Sequence, residues 1–431
     1  MSEEKLDVIV VGGGPAGAIA AYLLAEAGLE TVLFERGNTC GSKNVTGGRI
    51  YTHSLARVFP DFALTAPLER PVSREAVSFI TADKLVTVDL DNPAWGATAD
   101  HSYTVRRVSL DGWLADRAEA AGAMIINGIR VDDLIMENGA VCGVIAGGDE
   151  MRSNAVIIAE GVNPMLARRA GLLSGDLNPA QTAVGVKMVV SMESKEIESR
   201  FHLRPGEGMA QLLVGDCSKG VPGGGFIYTN KESVALGIIF TIAELVKSGV
   251  SVPDAIESFR AHPGIAPLLS GGKAIEYSAH LVPEGGWSMK PRLYGDGVLV
   301  AGDTAGFVLN CGYMVRGIDL AITSGRLAAE TVIGAKSIEN FSAAALAAYE
   351  QKVLDSHIGL DLKTFEKVPR FLEDTPAMFS AYPALAADLL TDLFTARGGK
   401  PERIRSLAAR HIGKAGWLRL IRDGLKGVRA L

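Results

Sequence analysis

Cysteine is scarce and scattered. Cys40, Cys142, Cys217 and Cys311 are the only four in 431 residues, and no two stand at the two-residue spacing of a zinc or iron–sulfur site. No metal-ligand set is therefore expected, and each cysteine reads as a small packing residue. No run of eighteen apolar residues occurs, which excludes an expected membrane-spanning helix. Positive charge is not in excess: the net charge of −6 argues against nucleic acid as a partner. A basic segment followed by a signal-peptide core is also missing at the N-terminus, so a cytoplasmic location is the default expectation. A hydrophobic content of 48% leaves ample material for two domains or one composite domain.

Against these absences, the opening stretch Leu6–Gly17, LDVIVVGGGPAG, is informative. Val8–Val11 is a continuous apolar run, the pattern of a strand buried on both faces of a parallel sheet. Gly12, Gly14 and Gly17 follow as G-x-G-x-x-G, with Pro15 and Ala16 inside the turn. An Ala/Leu-rich helix over Ala18–Ala27, ending at Gly28, and a second strand over Thr31–Phe34 complete a βαβ start. Gly12 permits the tight turn, Gly14 the close approach of a pyrophosphate, and Gly17 close packing of helix on strand. The helix N-terminus then points free N–H groups at the phosphates. Glu35, twenty-three positions past Gly12, ends the second strand, where a carboxylate accepts from ribose hydroxyls. Together these predict dinucleotide binding.

A second motif lies far down the chain. Gly297–Val300 reads as a short strand running into AGDTAGF. Asp303 would stand at the strand end and accept from a ribityl hydroxyl, while Gly302 lets the chain pass close to a flavin. The later part of Asn310–Glu330 reads as a helix with Ala321, Ser324, Gly325, Ala328 and Ala329 on one face. Its N-terminus would stabilise negative charge on a reduced flavin ring. No second G-x-G-x-x-G exists: Gly206-Glu207-Gly208 lacks the third glycine, and Gly295-Asp296-Gly297 precedes its strand. A separate nicotinamide domain is therefore not expected. Between the two motifs, Val72–Phe79 and Lys84–Leu90 suggest a hairpin, Val131–Asp149 another, and β-rich stretches dominate from about Val184 to Ala279.

Longer motifs are more specific. KNVTGGRIYTHSL (Lys43–Leu55), GGGFIYTN (Gly223–Asn230), AHPGIAPLLSGGKAIEYSAHLVPEGG (Ala261–Gly286) and GYMVRGIDLAI (Gly312–Ile322) resemble the FixC family. That family stands with the electron transfer flavoprotein–quinone oxidoreductases, in the wider geranylgeranyl-reductase and hydroxylase class. The resemblance covers the chain from the first strand to about Pro383. It implies an α/β fold: a discontinuous, glutathione reductase-like Rossmann domain for FAD over 1–180 and 275–335, with part of 60–105 lent to the substrate-side sheet. A β-rich quinone domain over 181–274 and a helical C-terminal region over 336–431 would complete it.

The resemblance also implies site residues. FAD would be held by Gly12, Gly14, Pro15, Ala16, Gly17, Glu35, Arg36, Gly302 and Asp303, with Val131 and Gly312 beside them. Arg106, before the L-x-x-W helix, would face the cofactor. Arg49 would follow the Val-Thr-Gly-Gly segment along the flavin. Gly223 and Gly224 would offer bare backbone to a quinone head, although a strand bulge would use the same glycines. The implied activity takes electrons from a reduced electron transfer flavoprotein to a membrane quinone. A separate ferredoxin-like subunit would supply the iron–sulfur cluster that this chain lacks the cysteines to hold. No catalytic residue is assigned; His53 and His280 lie in the shared motifs and read first as structural histidines. The competing readings are an FAD monooxygenase or isoprenoid double-bond reductase of the same superfold, and a redox-inactive protein that retains FAD.

The C-terminus departs from the acidic average. Arg410–Leu431 carries six basic residues against Asp423, and Trp417, Leu418, Ile421, Leu425 and Val428 recur at helical spacing. That pattern suits a helix lying in an anionic membrane interface. Docking of a partner or packing on the protein's own core would produce it as well. Gly413, Gly416, Gly424 and Gly427 suggest a segment that orders only on contact.

Overall fold

The computed structural model describes residues 5–43, 48–97, 101–396, 398–399 and 402–431. Of the Val-Thr-Gly-Gly segment, Val45–Gly47 lie outside the described residues. Two large sheets organise the chain. The first is built on the parallel strands Val298–Val300, Asp149–Ile158, Leu6–Val11, Thr31–Glu35 and Met124–Asn127, in that spatial order. Val8–Val11 and Ala155–Ile158 pair in the middle and are buried on both faces, as their unbroken apolar runs require. Val131–Glu137 and Ala140–Ala146 extend the early half of Asp149–Ile158 as an antiparallel flap.

The helix after the first strand starts at Pro15, not at Ala18. Proline is pre-organised for the first helical position and lacks the N–H that would be unbonded there, so the turn of the glycine motif is already the first turn of the helix. It runs to Glu26 and packs on a long helix, Ile318–Ser337. Gly325 allows this contact, because a Cβ there would lie 2.1 Å from the Ala16 carbonyl oxygen; Gly17 instead lets the helix sit close on the end of the first strand, where a Cβ would lie 1.9 Å from the Gly12 carbonyl oxygen.

The second sheet has nine strands. Its main path runs Lys273–Pro283, Thr182–Ser191, Ser233–Thr241, Gly223–Thr229, Gly208–Gly215, Leu68–Ile80, Ser102–Val105 and Gly48–Tyr51, with Leu85–Asp91 paired on Leu68–Ile80. The sheet therefore draws on both sides of the 181–274 segment. Lys273–Pro283, grouped from sequence mostly with the cofactor-binding half, pairs along its whole length with Thr182–Ser191. Strands near residues 48 and 102 close the other edge. Arg70, buried at the centre of this assembly, donates to the Asn230, Glu207 and Lys231 carbonyls, to Ser194 Oγ and to Glu198 Oε1. A buried guanidinium is tolerated because its donors are met in this way.

Helices make up the C-terminal region, among them Val368–Glu373, Ala381–Phe394, Ile404–Ala415 and Trp417–Ala430. The glycine-rich tail is thus two helices broken at Gly416, whose φ is +94°. The chain thus has an α/β fold, with a largely parallel first sheet, a nine-stranded second sheet and a helical C-terminus.

Candidate functional site

One cavity of about 1180 Å³ runs between the two sheets. Gly12, Gly14, Pro15 and Ala16 line one end, together with Glu35, Arg36 and Val131. Gly12 sits at φ +105°, where a Cβ would lie 2.2 Å from the Ala159 carbonyl oxygen; only glycine turns the chain there. A Cβ on Gly14, by contrast, would have only Arg107 Nη2 within 4 Å, at 3.9 Å. The missing side chain leaves an open cradle at a helix N-terminus, which fits a pyrophosphate. Gly17 does not line the cavity; its task is the helix packing described above. Glu35 is oriented by two backbone amides, Gly13 N at 2.9 Å and Gly37 N at 2.6 Å. Fixed in this way, the carboxylate keeps lone pairs for ribose hydroxyls.

At the centre, Gly302 has φ +66°, and its N–H donates to Ser324 Oγ at 2.9 Å. Asp303 follows at the cavity wall. Burial raises its pKa, and the Arg107 guanidinium partly offsets this. Arg106 does not line the cavity, and Arg107 does. Arg106 is the N-cap of the helix Arg107–Ala120, and Arg107 is its first residue. There Arg107 forks onto the buried carboxylate of Asp111, Nε to Oδ1 at 2.9 Å and Nη2 to Oδ2 at 2.8 Å. Arg49 reaches the cavity but is engaged by Glu75, by Ser102 Oγ at 2.8 Å and by the face of Tyr51. Gly312 also lines it, at φ +82°, with its N–H held by Asn310 Oδ1 at 2.9 Å.

The far end is walled by the second sheet. Gly223, Gly224 and Gly225 pair in unbroken register with Phe240, Ile239 and Ile238, so they form no bulge. Backbone proximity still demands glycine: a Cβ on Gly223 would lie 1.9 Å from the Ile239 carbonyl oxygen, and one on Gly224 would lie 2.8 Å from that of Leu213. Lys187 and His280 share this end. Burial and the nearby Arg107 bring Lys187 down to about 8. Burial, then Lys187 and Arg107, bring His280 down to about 4, so its imidazole is neutral at pH 7. Glu284, at the end of Lys273–Pro283, is pushed up to about 7 by burial and accepts from Thr241 Oγ1 at 3.5 Å. Burial also lifts the Cys311 thiol to about 11, which keeps it protonated and unreactive. His53 does not line the cavity; it faces His357 and Asp319 instead.

Comparison with known proteins gives this geometry a context. Residues 5–200 match an FAD binding domain, and residues 368–431 match the ETF-QO/FixC family C-terminal domain. Over its full length the chain is 46% identical to Protein FixC of Escherichia coli K12, covering all of both chains. It belongs to the ETF-QO/FixC family. The E. coli K12 protein named "Probable electron transfer flavoprotein-quinone oxidoreductase YdiS" is equally similar, at 46% identity over the whole of both chains. The chain is thus an FAD-dependent oxidoreductase of the ETF-QO type. A geranylgeranyl bacteriochlorophyll reductase-like protein from Thermoplasma acidophilum shares the fold at a TM-score of 0.71 and 20% identity, with 99% of this chain and all of that one covered. The flavin-dependent brominase Bmp2 shares it at 0.65 and 16%, with 99% of each chain covered.

The C-terminal domain of the FixC family joins the same cavity. Phe371, Met378, Phe379 and Leu431 line it with the glycines of the first motif. Phe371 packs on Gly427 of the last helix. That helix is pinned by Asp423, whose Oδ2 accepts from Tyr382 Oη at 2.7 Å. Asp423, Gly427 and Ala430 face inward, while Leu418 and Val428 are each 85% exposed and Trp417, Ile421 and Leu425 at least half exposed. The apolar stripe of the tail therefore does not pack on the protein's own core. Among the described residues no helix is long and apolar enough to cross a membrane.

Sequence reasoning missed Arg107, Lys187, Glu284 and the aromatic rim from the C-terminal domain. Arg107 carried a readable signal, since Asp111 stands four residues on, at ion-pair spacing along a helix. Lys187 carried none, and Glu284 only its place in the Ala261–Gly286 motif. Their character comes from burial, which depends on strands remote in sequence.

Proposed function

We propose that this protein takes two electrons from a reduced electron transfer flavoprotein and two protons from solvent, and converts a membrane quinone to its quinol. A separate ferredoxin-like subunit assists, a part of the reading that rests on family resemblance. The observation that carries the proposal is the continuity of the cavity. It runs from the Gly14 cradle, past Gly302 and Asp303, to Gly223, Glu284 and the rim formed by Phe371, Phe379 and Leu431. A cofactor end and an apolar end thus share one space, and the apolar end adjoins a helix that turns its apolar side outward.

When bound, FAD supplies the electron-transfer chemistry, and the protein supplies position and electrostatics. Gly14 and the start of the first helix hold the pyrophosphate, Glu35 a ribose, and Asp303 the ribityl chain. Lys187 places positive charge at the second-sheet end of the cavity, which stabilises negative charge developing there, while the charge of Arg107 is matched by Asp111. Gly223 and Gly224 present a wall without side chains to a flat ring. Glu284 holds a proton at its carboxyl and passes it toward the ring that is being reduced; His280, neutral at pH 7, does not compete for this task.

The last helix docks on the membrane from its cytoplasmic side. Arg419, Arg422, Lys426 and Arg429 flank its apolar stripe, as binding to anionic lipid requires. Removing everything after Ala409 would also strip His411, Asp423 and Leu431 from their packing, so point changes are the cleaner test. Vesicles of anionic phospholipid loaded with a long-tailed quinone should support rapid quinone reduction by the intact protein. The pair Leu418→Glu and Val428→Glu should lose most co-sedimentation and at least about tenfold in that rate, while turnover with a water-soluble short-tail quinone is retained. Equal rates on vesicles would contradict the role given to the helix; no quinone reduction with either acceptor would contradict the function.

A further inference from the structure

Behind the cavity, three side chains from three helices meet. His53 is the first residue of His53–Val58, Asp319 lies in the first turn of Ile318–Ser337, and His357 opens His357–Thr364. His53 Nε2 and His357 Nε2 are 3.4 Å apart, and Asp319 Oδ2 lies 3.6 Å from the first and 4.0 Å from the second. A triangle with sides of 3.4, 3.6 and 4.0 Å has a circumradius of about 2.1 Å, which is the length of a zinc–nitrogen or zinc–carboxylate bond. One point, in the plane of the three donors, therefore lies at bonding distance from all of them, and closing the 4.0 Å side by a few tenths of an ångström would lift the ion out of that plane and open a fourth, tetrahedral position.

We propose that His53, Asp319 and His357 form a binding site for a divalent first-row transition metal ion, Zn2+ being the ion we commit to. Nothing in the FAD chemistry calls on these residues, and His53 and Asp319 do not line the cavity. Two imidazoles and one carboxylate are a donor set that suits this class of ion, and a water molecule would take the remaining position. Entry is open, because the His53 side chain is 46% exposed, whereas Asp319 is buried. The carboxylate is already oriented. Arg316 donates Nε to Asp319 Oδ2 at 2.9 Å and Nη2 to the same oxygen at 2.5 Å, and its Nη1 reaches Asp361 Oδ2 at 2.6 Å. Both bonds fall on Oδ2, so the ion would share that oxygen with Arg316, whose guanidinium fixes the orientation of the carboxylate. The guanidinium charge beside the site is matched by Asp361, so two carboxylates face one fixed cation and the local balance accommodates a divalent ion. Residues 53, 319 and 357 lie far apart in the chain, which is why no metal-ligand spacing could be read from it.

The bound ion would tie the start of His357–Thr364 to the long helix whose first residues line the cavity. The test is equilibrium dialysis of the tag-free, flavin-loaded full chain against Zn2+, with metal counted by mass spectrometry and thermal midpoints recorded with and without the ion. One Zn2+ per chain and a raised midpoint are expected. His53→Gln and His357→Gln should each weaken binding by about 100-fold, at the upper end of what loss of an outer partner alone costs. Both sites are partly exposed, so the metal-free midpoints should stay near the parent value. Absence of stoichiometric zinc in the parent chain, or binding unchanged in both variants, would overturn the proposal.

Discussion

Gly14→Val should yield a folded protein that purifies without flavin. Gly14 has φ −78° and ψ −178°, a conformation open to any residue, and a Cβ there would find no atom nearer than 3.9 Å. The apoprotein therefore accommodates valine. The same methyl groups fill the cradle into which a pyrophosphate must come, so flavin affinity should fall by at least about 100-fold, roughly 3 kcal/mol. Absorbance of the purified protein gives flavin per chain, and circular dichroism gives the fold. Gly12→Ala provides the contrast. Its Cβ would meet the Ala159 carbonyl at 2.2 Å with φ at +105°, so that variant should fail by losing the fold as well. Full flavin occupancy in Gly14→Val would show that the cofactor does not approach this turn.

Glu284→Gln should lower quinone reduction by about 100-fold at pH 6, the scale of a positioned general acid. Its signature is the pH profile. Burial raises the Glu284 pKa to about 7, so the carboxyl carries its proton below that pH and loses it above. In the parent protein the rate should fall as pH rises through about 7, and in the glutamine variant this limb should disappear. Stability carries the matching sign. The folded-state pKa stands above that of the unfolded chain, so the folded protein binds the extra proton between about 4.5 and 7. The parent should lose stability as pH climbs through that window, and the variant should lose less. A merely structural glutamate would shift the thermal midpoint but leave the pH limb of the rate in place.

How much of this was legible depended on how local the cause was. The first βαβ unit could be read because Val8–Val11, three glycines and Glu35 are contiguous and each has one physical task. The helix Arg107–Ala120 could be read too, but not which arginine of the pair faces the cavity. That choice turns on the N-cap: Arg106 remains extended and outside, while Arg107 is the first helical residue and points at Asp111. The membership of the second sheet was less visible, since Lys273–Pro283 and Gly48–Tyr51 join it from remote parts of the chain. The tail shows the limit of periodicity. Its amphipathic stripe was plain, yet only the inward contacts of Asp423 and Gly427 decide that the apolar side faces out. Glu284 was an ordinary glutamate until strand pairing buried it.

In the proposed function, electrons enter from a reduced protein flavin and leave to a quinone. The direct measurement is anaerobic stopped-flow absorbance at the flavin band of the purified protein, mixed in parallel with reduced electron transfer flavoprotein and with NADH, and then with a quinone. Bleaching at catalytic rates by the reduced flavoprotein, slow bleaching by NADH and rapid return of the band on adding quinone are expected. Bleaching by NADH at catalytic rates, with no response to the reduced flavoprotein, would contradict the proposed function.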